Sequence, residues 1–221
     1  MTRFSTAITA LLAFGIPLAG CTSTIPGHGT LAGAAGSGTA SPTPSSEPTV
    51  TRPAGRERLS CGGGTVITSP GGPYCYLRPD GFQDVTAQVD VGTAVGGAGT
   101  HRTAVALANH DLILVVDFPL RTDSEQLSDA ALVEQLNGVA AQFEAQGFVF
   151  DSTVPESVTV DGARGFRYHA KATNADYSSD LVFVFRGTNE IEINCQYATR
   201  KVDVDRGCAN VLKSIQIRTE I

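Results

Sequence analysis

The hydrophobic pattern divides the chain into three stretches. Ala7 to Ile16 is a short apolar run (AITALLAFGI); from Thr22 to Arg58 large apolar residues nearly vanish in favour of Gly, Ala, Ser, Thr and Pro. From Leu59 onwards apolar residues recur with the periods of strands and helices. Thr65 to Thr68 and Tyr74 to Leu77 flank Ser69-Pro70-Gly71-Gly72-Pro73, which predicts a hairpin. Further strands are expected over Phe82 to Val91 and over Arg102 to Phe118, the second split by a turn at Asn109-His110-Asp111. Leu112 to Val116 is continuously apolar, as suits a strand covered on both faces. The next helix is expected to cover one of them. It has Ser128 as N-cap, Leu127 and Leu132 as a hydrophobic staple, and Leu132, Leu136, Val139, Ala140 and Phe143 as its stripe; Gly147 is placed to end it. A β-meander follows over Ser157 to Val160, Arg164 to Ala172, Leu181 to Arg186 and Glu190 to Tyr197, with turns at Asp161-Gly162 and Gly187-Thr188-Asn189. A helix from Asp203 to Lys213 closes the chain.

The N-terminal run has the length of a signal-peptide core and is too short to span a bilayer as a helix. Met1-Thr2-Arg3 supplies the positive end, and Leu18-Ala19-Gly20-Cys21 resembles a lipobox, in which small residues give a peptidase access to the bond before a cysteine that becomes lipidated. Residues 1–20 are therefore expected to be a lipoprotein signal peptide, and 21–58 a lipidated Cys21 with a Gly/Ser/Thr/Pro-rich tether. The alternative is an ordinary cysteine behind an ordinary secretory signal. A flexible coil of that length reaches roughly 35 Å. Residues 59–221 then form a single domain.

Five cysteines leave an odd thiol in an exported chain, which lipidation of Cys21 removes. The other four allow three connectivities; locality favours Cys61 with Cys75 and Cys195 with Cys208. Side-chain direction agrees for the second pair. Ile191, Ile193, Cys195 and Tyr197 alternate with Glu190, Glu192, Asn194 and Gln196, while Val204, Cys208, Val211 and Ile215 share one helical face.

The chain has 221 residues and a formal charge of −6, which argues against nucleic acid or anionic lipid headgroups as main partners. Its basic residues are thirteen Arg and three Lys, a bias associated with GC-rich genomes. No GxSxG, HExxH, CxxC or Walker pattern occurs, and His28, His101, His110 and His169 are scattered. Gly27-His28-Gly29, Gly33 to Gly38 and Gly96-Gly97-Ala98-Gly99 lack the strand and helix that a phosphate loop needs. Asp203 and Asp205 diverge at a helix start, where carboxylates already stabilise the dipole. No catalytic, cofactor or metal-binding set is therefore expected. One surface feature stands out: Arg167, His169 and Lys171 alternate with Phe166, Tyr168 and Ala170, placing a cationic row on one sheet face. Glu190, Glu192 and Asn194 are expected to point outwards two strands later. The row is a candidate patch for an acidic group on a lipid, glycan or protein; the alternative is a solvated face with balanced charges.

Together the lipobox, the tether, the early cysteine pair, Pro79-Asp80-Gly81-Phe82, Asp161-Gly162-Ala163-Arg164-Gly165, and Cys195-Gln196-Tyr197 with Cys208 and Val211-Leu212-Lys213-Ser214-Ile215 resemble the actinobacterial PsbP-like lipoproteins of the LpqN/LpqT type. The resemblance covers Pro79 to Ile217. It implies an α+β fold, an α/β/α sandwich around a twisted antiparallel sheet, to which the disulfide-stapled N-terminal hairpin is added. It also implies an envelope protein linked to cell-wall lipids or host contact, with plant relatives that are non-catalytic photosystem II subunits. The expectation is a membrane-anchored, extracytoplasmic, non-enzymatic binding or accessory module, its partner an envelope protein or an amphipathic lipid or glycolipid. An envelope hydrolase with an unrecognised site is the alternative.

Overall fold

The computed structural model describes residues 59–89 and 101–218. The expected signal peptide, Cys21, the tether with His28, and Gly96 to Gly99 lie outside the described residues.

The chain opens with strands β1 (Val66–Thr68) and β2 (Tyr74–Leu77), antiparallel as the turn chemistry predicts. Strand β3 (Gln83–Asp84) is only two residues long, shorter than the strand expected over Phe82 to Val91, of which residues 82–89 are described. The side chain of Asp84 accepts the Thr86 N–H at 3.0 Å, and the Gln88 and Val89 amides turn back to the Val85 carbonyl. Local polar bonds thus end the strand despite its pattern. Strands β4 (Arg102–Ala108) and β5 (Asp111–Pro119) form the expected hairpin. Helix α1 (Asp129–Ala145) starts as its signals require, with the Ser128 hydroxyl accepting the Ala131 N–H at 3.2 Å. Gly147 follows it at φ +93°, a conformation that favours glycine. The remaining elements are β6 (Phe148–Phe150), β7 (Glu156–Val160), β8 (Ala163–Ala172), β9 (Ser178–Arg186), β10 (Asn189–Tyr197), α2 (Lys201–Ser214) and β11 (Gln216–Ile217).

The main sheet is antiparallel, ordered β3-β4-β5-β10-β9-β8-β6, with β7 pairing the first half of β8. A second sheet is ordered β1-β2-β11. Strands β6 and β11 were not legible in the pattern, being three and two residues long.

Two core clusters share β9, whose alternate residues face one or the other. Ile113 and Val115 of β5, Val182 and Val184 of β9, and Ile191, Ile193 and Cys195 of β10 pack with Val204, Cys208 and Val211 of α2. Phe166 and Tyr168 of β8, with Leu181, Phe183 and Phe185 of β9, pack against Leu132 and Leu136 of α1. The expectation that α1 covers β5 is therefore corrected: α2 does so, and α1 lies on β8 and β9. The reason is volume, since the four phenyl and phenol rings on β8 and β9 offer α1 far more apolar surface to bury. The opposite residues of β5, Leu114 and Val116, form a third cluster with Ala104, Val85 and Val89.

Both cysteine pairs are bonded. Cys61 and Cys75 join the start of the domain to β2, and Cys195 and Cys208 join β10 to α2, with Cα separations of 6.1 and 6.0 Å. The hairpin is also tied to the sheet by a buried hydroxyl relay: Tyr76 donates to Thr103 Oγ1 at 3.1 Å, Thr103 to the Tyr74 hydroxyl at 3.1 Å, and Tyr74 to the Val115 carbonyl at 2.8 Å. Each hydroxyl thus has a partner, as burial requires.

Candidate functional site

The sheet register brings Arg167, His169 and Lys171 onto one face of β8, as the alternation predicts. They do not meet Glu190, Glu192 and Asn194. Arg167 lies opposite Val182 and His169 opposite Asp180 on β9, and these in turn lie opposite Ile193 and Cys195 on β10. The acidic row of β10 is on the other face, where Glu192 is buried, which corrects the expectation that this row points outwards. The counter-charges come from elsewhere. Arg167 pairs with Glu156 of β7 at 3.2 Å, and His169 Nδ1 lies 2.7 Å from Asp180 and its Nε2 3.8 Å from Asp151. The His169 ring stacks on Tyr197, whose face carries the Lys201 ammonium at 4.6 Å. Lys171 is exposed and, among the described residues, has no carboxylate partner. The row is a mixed-charge surface rather than a cationic one.

Neither Asp203 nor Asp205 stands free for a cation, because Arg200 and Arg206 bind Asp203 and Lys201 binds Asp205. The other histidines are separated. His101 meets the buried Asp117, and His110 stacks on Tyr177. Burial pushes the Asp117 carboxyl up, against the opposing pull of hydrogen bonds from His101.

The least expected group is the polar row of β10. Glu192 is 3% exposed. Its register neighbours are Val116 on β5 and Phe183 on β9; those of Glu190 are Phe118 and Phe185; those of Asn194 are Leu114 and Leu181. Three polar side chains thus run down the centre of a face whose flanks are apolar on both sides, Leu114, Val116 and Phe118 on β5 and Leu181, Phe183 and Phe185 on β9. Burial pushes Glu190 up to about 7. Burial, and then the neighbouring charge of Glu190, pushes Glu192 up to about 8. Among the described residues neither carboxylate has a hydrogen-bond or ion-pair partner. Nearby orphans accompany them: Asn194 Oδ1, Ser179 Oγ and the Tyr168 hydroxyl are buried without partners. Tyr168, Leu181 and Asn194 form one row across β8, β9 and β10, and Ser179 is in the next row. Buried polar atoms without partners are unusual and call for a functional or solvent explanation.

Period-two reading assigned this row to solvent because its residues are polar. A signal was present in the neighbours. The runs Leu112 to Val116 and Leu181 to Phe185 are apolar on both faces, so a strand paired between them is covered on both faces too.

No family model matches the chain, and no curated protein matches it. Among solved structures, the chain is similar to the solution structure of cyanobacterial PsbP (CyanoP) from Synechocystis sp. PCC 6803, at 16% identity and a TM-score of 0.47, over 72% of this chain and 98% of that one.

Proposed function

We propose that this chain is an extracytoplasmic lipoprotein of the actinobacterial PsbP-like type, anchored through Cys21, that works as a non-enzymatic binding or accessory module of the cell envelope. Its ligand is amphipathic, a lipid or glycolipid held against the sheet. The observation that carries this reading is the row of Glu190, Glu192 and Asn194, with Glu192 buried and the other two half-buried, between apolar flanks on β5 and β9. Acceptors in a line with apolar walls on both sides match a molecule whose hydroxylated part and hydrocarbon part must be satisfied together. The packing of α1 and α2 on alternate residues of β9 supports the three-layer α/β/α arrangement that the sequence resemblance implies.

The test is to crosslink the lipidated protein in its native membrane and identify captured molecules by mass spectrometry. A reproducible lipid adduct is expected, lost in Glu192→Leu. Capture of a single envelope protein instead assigns the accessory role without the lipid. Capture of neither overturns the proposal.

A second reading, an envelope hydrolase, draws on the same two carboxylates, since a raised carboxyl is the form a general acid takes. It predicts turnover of an added lipid ester that Glu192→Gln abolishes while leaving ligand capture intact.

A further inference from the structure

A different part of the domain carries a second site. A cleft of about 830 Å³ opens where the N-terminal hairpin, the segment after β2 and the last turn of α2 come together. One wall is the run Gly62, Gly63 and Gly64, directly behind the Cys61–Cys75 bridge. The amides of Gly63 and Gly64 have no acceptor among the described residues. A Cβ at Gly62 or Gly63 would meet nothing within 4 Å, so the backbone there is open to a ligand, and Gly63 sits at φ +104°. Arg78 and Lys213 face the same cleft, and among the described residues neither has an ion-pair partner. Of the two carboxylates on the wall, Asp161 is occupied by Arg186 and by the Ile217 amide. Asp80 alone remains, and it is exposed. An adjoining depression shares Ser60, Cys61 and Gly62 and adds Arg218, whose Nε is buried without an acceptor.

We propose that this cleft binds a phosphate group, held by the Arg78 guanidinium, the Lys213 ammonium and the free amides of Gly63 and Gly64. A tetrahedral anion with several oxygens satisfies a forked donor, a point charge and two backbone donors at once, which a planar carboxylate does not. Glycine permits the close approach that the amides require. Asp80 accepts a hydroxyl from whatever carries the phosphate. The cleft and the adjoining depression together lie at Leu59 to Gly62, where the Gly/Ser/Thr/Pro-rich stretch of sequence ends. A headgroup of the membrane and a free phosphate ester are thus both within the chemistry, and neither depends on the β10 row.

The experiment titrates the full chain carrying Cys21→Ser with inorganic phosphate, following the glycine amides by NMR. Saturable shifts of Gly63 and Gly64 are expected, weakened at least tenfold in Arg78→Gln/Lys213→Gln, a pair chosen to leave the rest of the spectrum unchanged. A second arm sediments the same proteins with phosphatidylglycerol or phosphatidylcholine vesicles. Retention on the anionic vesicles alone, lost in the variant, assigns a lipid headgroup; phosphate shifts without retention assign a free phosphate ester. Glycine amides that do not move, or that move equally in the variant, overturn the proposal.

Discussion

Asp111 Oδ1 accepts the backbone N–H of Arg200 at 2.9 Å, across 89 residues of sequence. The same oxygen takes the amides of Ala198 and Thr199 at 2.9 and 3.1 Å, and Oδ2 takes the Thr199 hydroxyl at 2.9 Å. A residue that reads as part of a hairpin turn is in fact the anion that organises the entry to α2. Burial pushes its carboxyl up, but the amides of Arg200 and Ala198 and the Thr199 groups outweigh it and hold the carboxyl below its ordinary value. A lowered folded value means that this stabilisation is present above the unfolded pKa of about 4 and is lost as pH falls through the folded value. Asp111→Ala is expected to cost about 2–3 kcal/mol in urea unfolding at neutral pH. Asp111→Asn should lose less and should flatten the acid limb of the stability curve; an unchanged acid limb would count against the assignment.

Glu192 has the opposite sign. Its folded carboxyl is raised to about 8 by burial and then by Glu190, so the protonated form suits the fold. Stability is fully present below the unfolded value of about 4.3 and declines as pH rises through about 8, at about 1.4 kcal/mol for each unit of displacement. Glu192→Gln should match the parent below about pH 4 and exceed it by at least about 1.4 kcal/mol near about pH 9. Denaturant melts at both values check this, and parallel curves would refute it.

Two helix glycines separate packing from propensity. At Gly138 of α1 an added Cβ meets nothing within 4 Å, so Gly138→Ala should gain up to about 1 kcal/mol. At Gly207 of α2 the Cβ would lie 2.6 Å from the Phe82 ring and 3.2 Å from Ile113 Cδ1. Phe82 is 2% exposed and has little room to yield. Overpacking of about 1–3 kcal/mol there offsets or exceeds the same helical gain. Gly207→Ala should therefore melt below Gly138→Ala, with the parent between them or level with the lower one.

The Cys195–Cys208 bridge closes a sequence separation of 13 residues, for which chain entropy gives about 3 kcal/mol. Replacing both cysteines by alanine should lower unfolding stability by about that amount while leaving α2 in place at room temperature, as read by circular dichroism.

Arg167 pairs with Glu156 at an exposed site, where a pair contributes under about 1 kcal/mol. Arg167→Glu with Lys171→Glu should leave the melt within that margin. If the row contacts an acidic group on a partner, the double reversal abolishes crosslinked capture; capture at the parent level shows that the candidate patch makes no such contact.

Much was settled by the sequence alone because it depends on neighbours a few residues away. The Ser128 cap, the glycine after α1, the turns at Asp161-Gly162 and at Ser69 to Pro73, and both cysteine pairs follow from local chemistry and side-chain periodicity. Period two also sorted β10 correctly into two sets of side chains. It did not reveal what lies over each set, since alternation describes a strand and not its coverings. That choice belonged to the tertiary structure. Placing β10 between the apolar β5 and β9 buried Glu192 although its side chain is polar, and α2 rather than α1 came to cover β5. Asp111 gained its role in the same way, from amides 87 to 89 residues away. Non-local pairing sets which surfaces leave water, and for these groups that decided which carboxyl is raised and which is lowered.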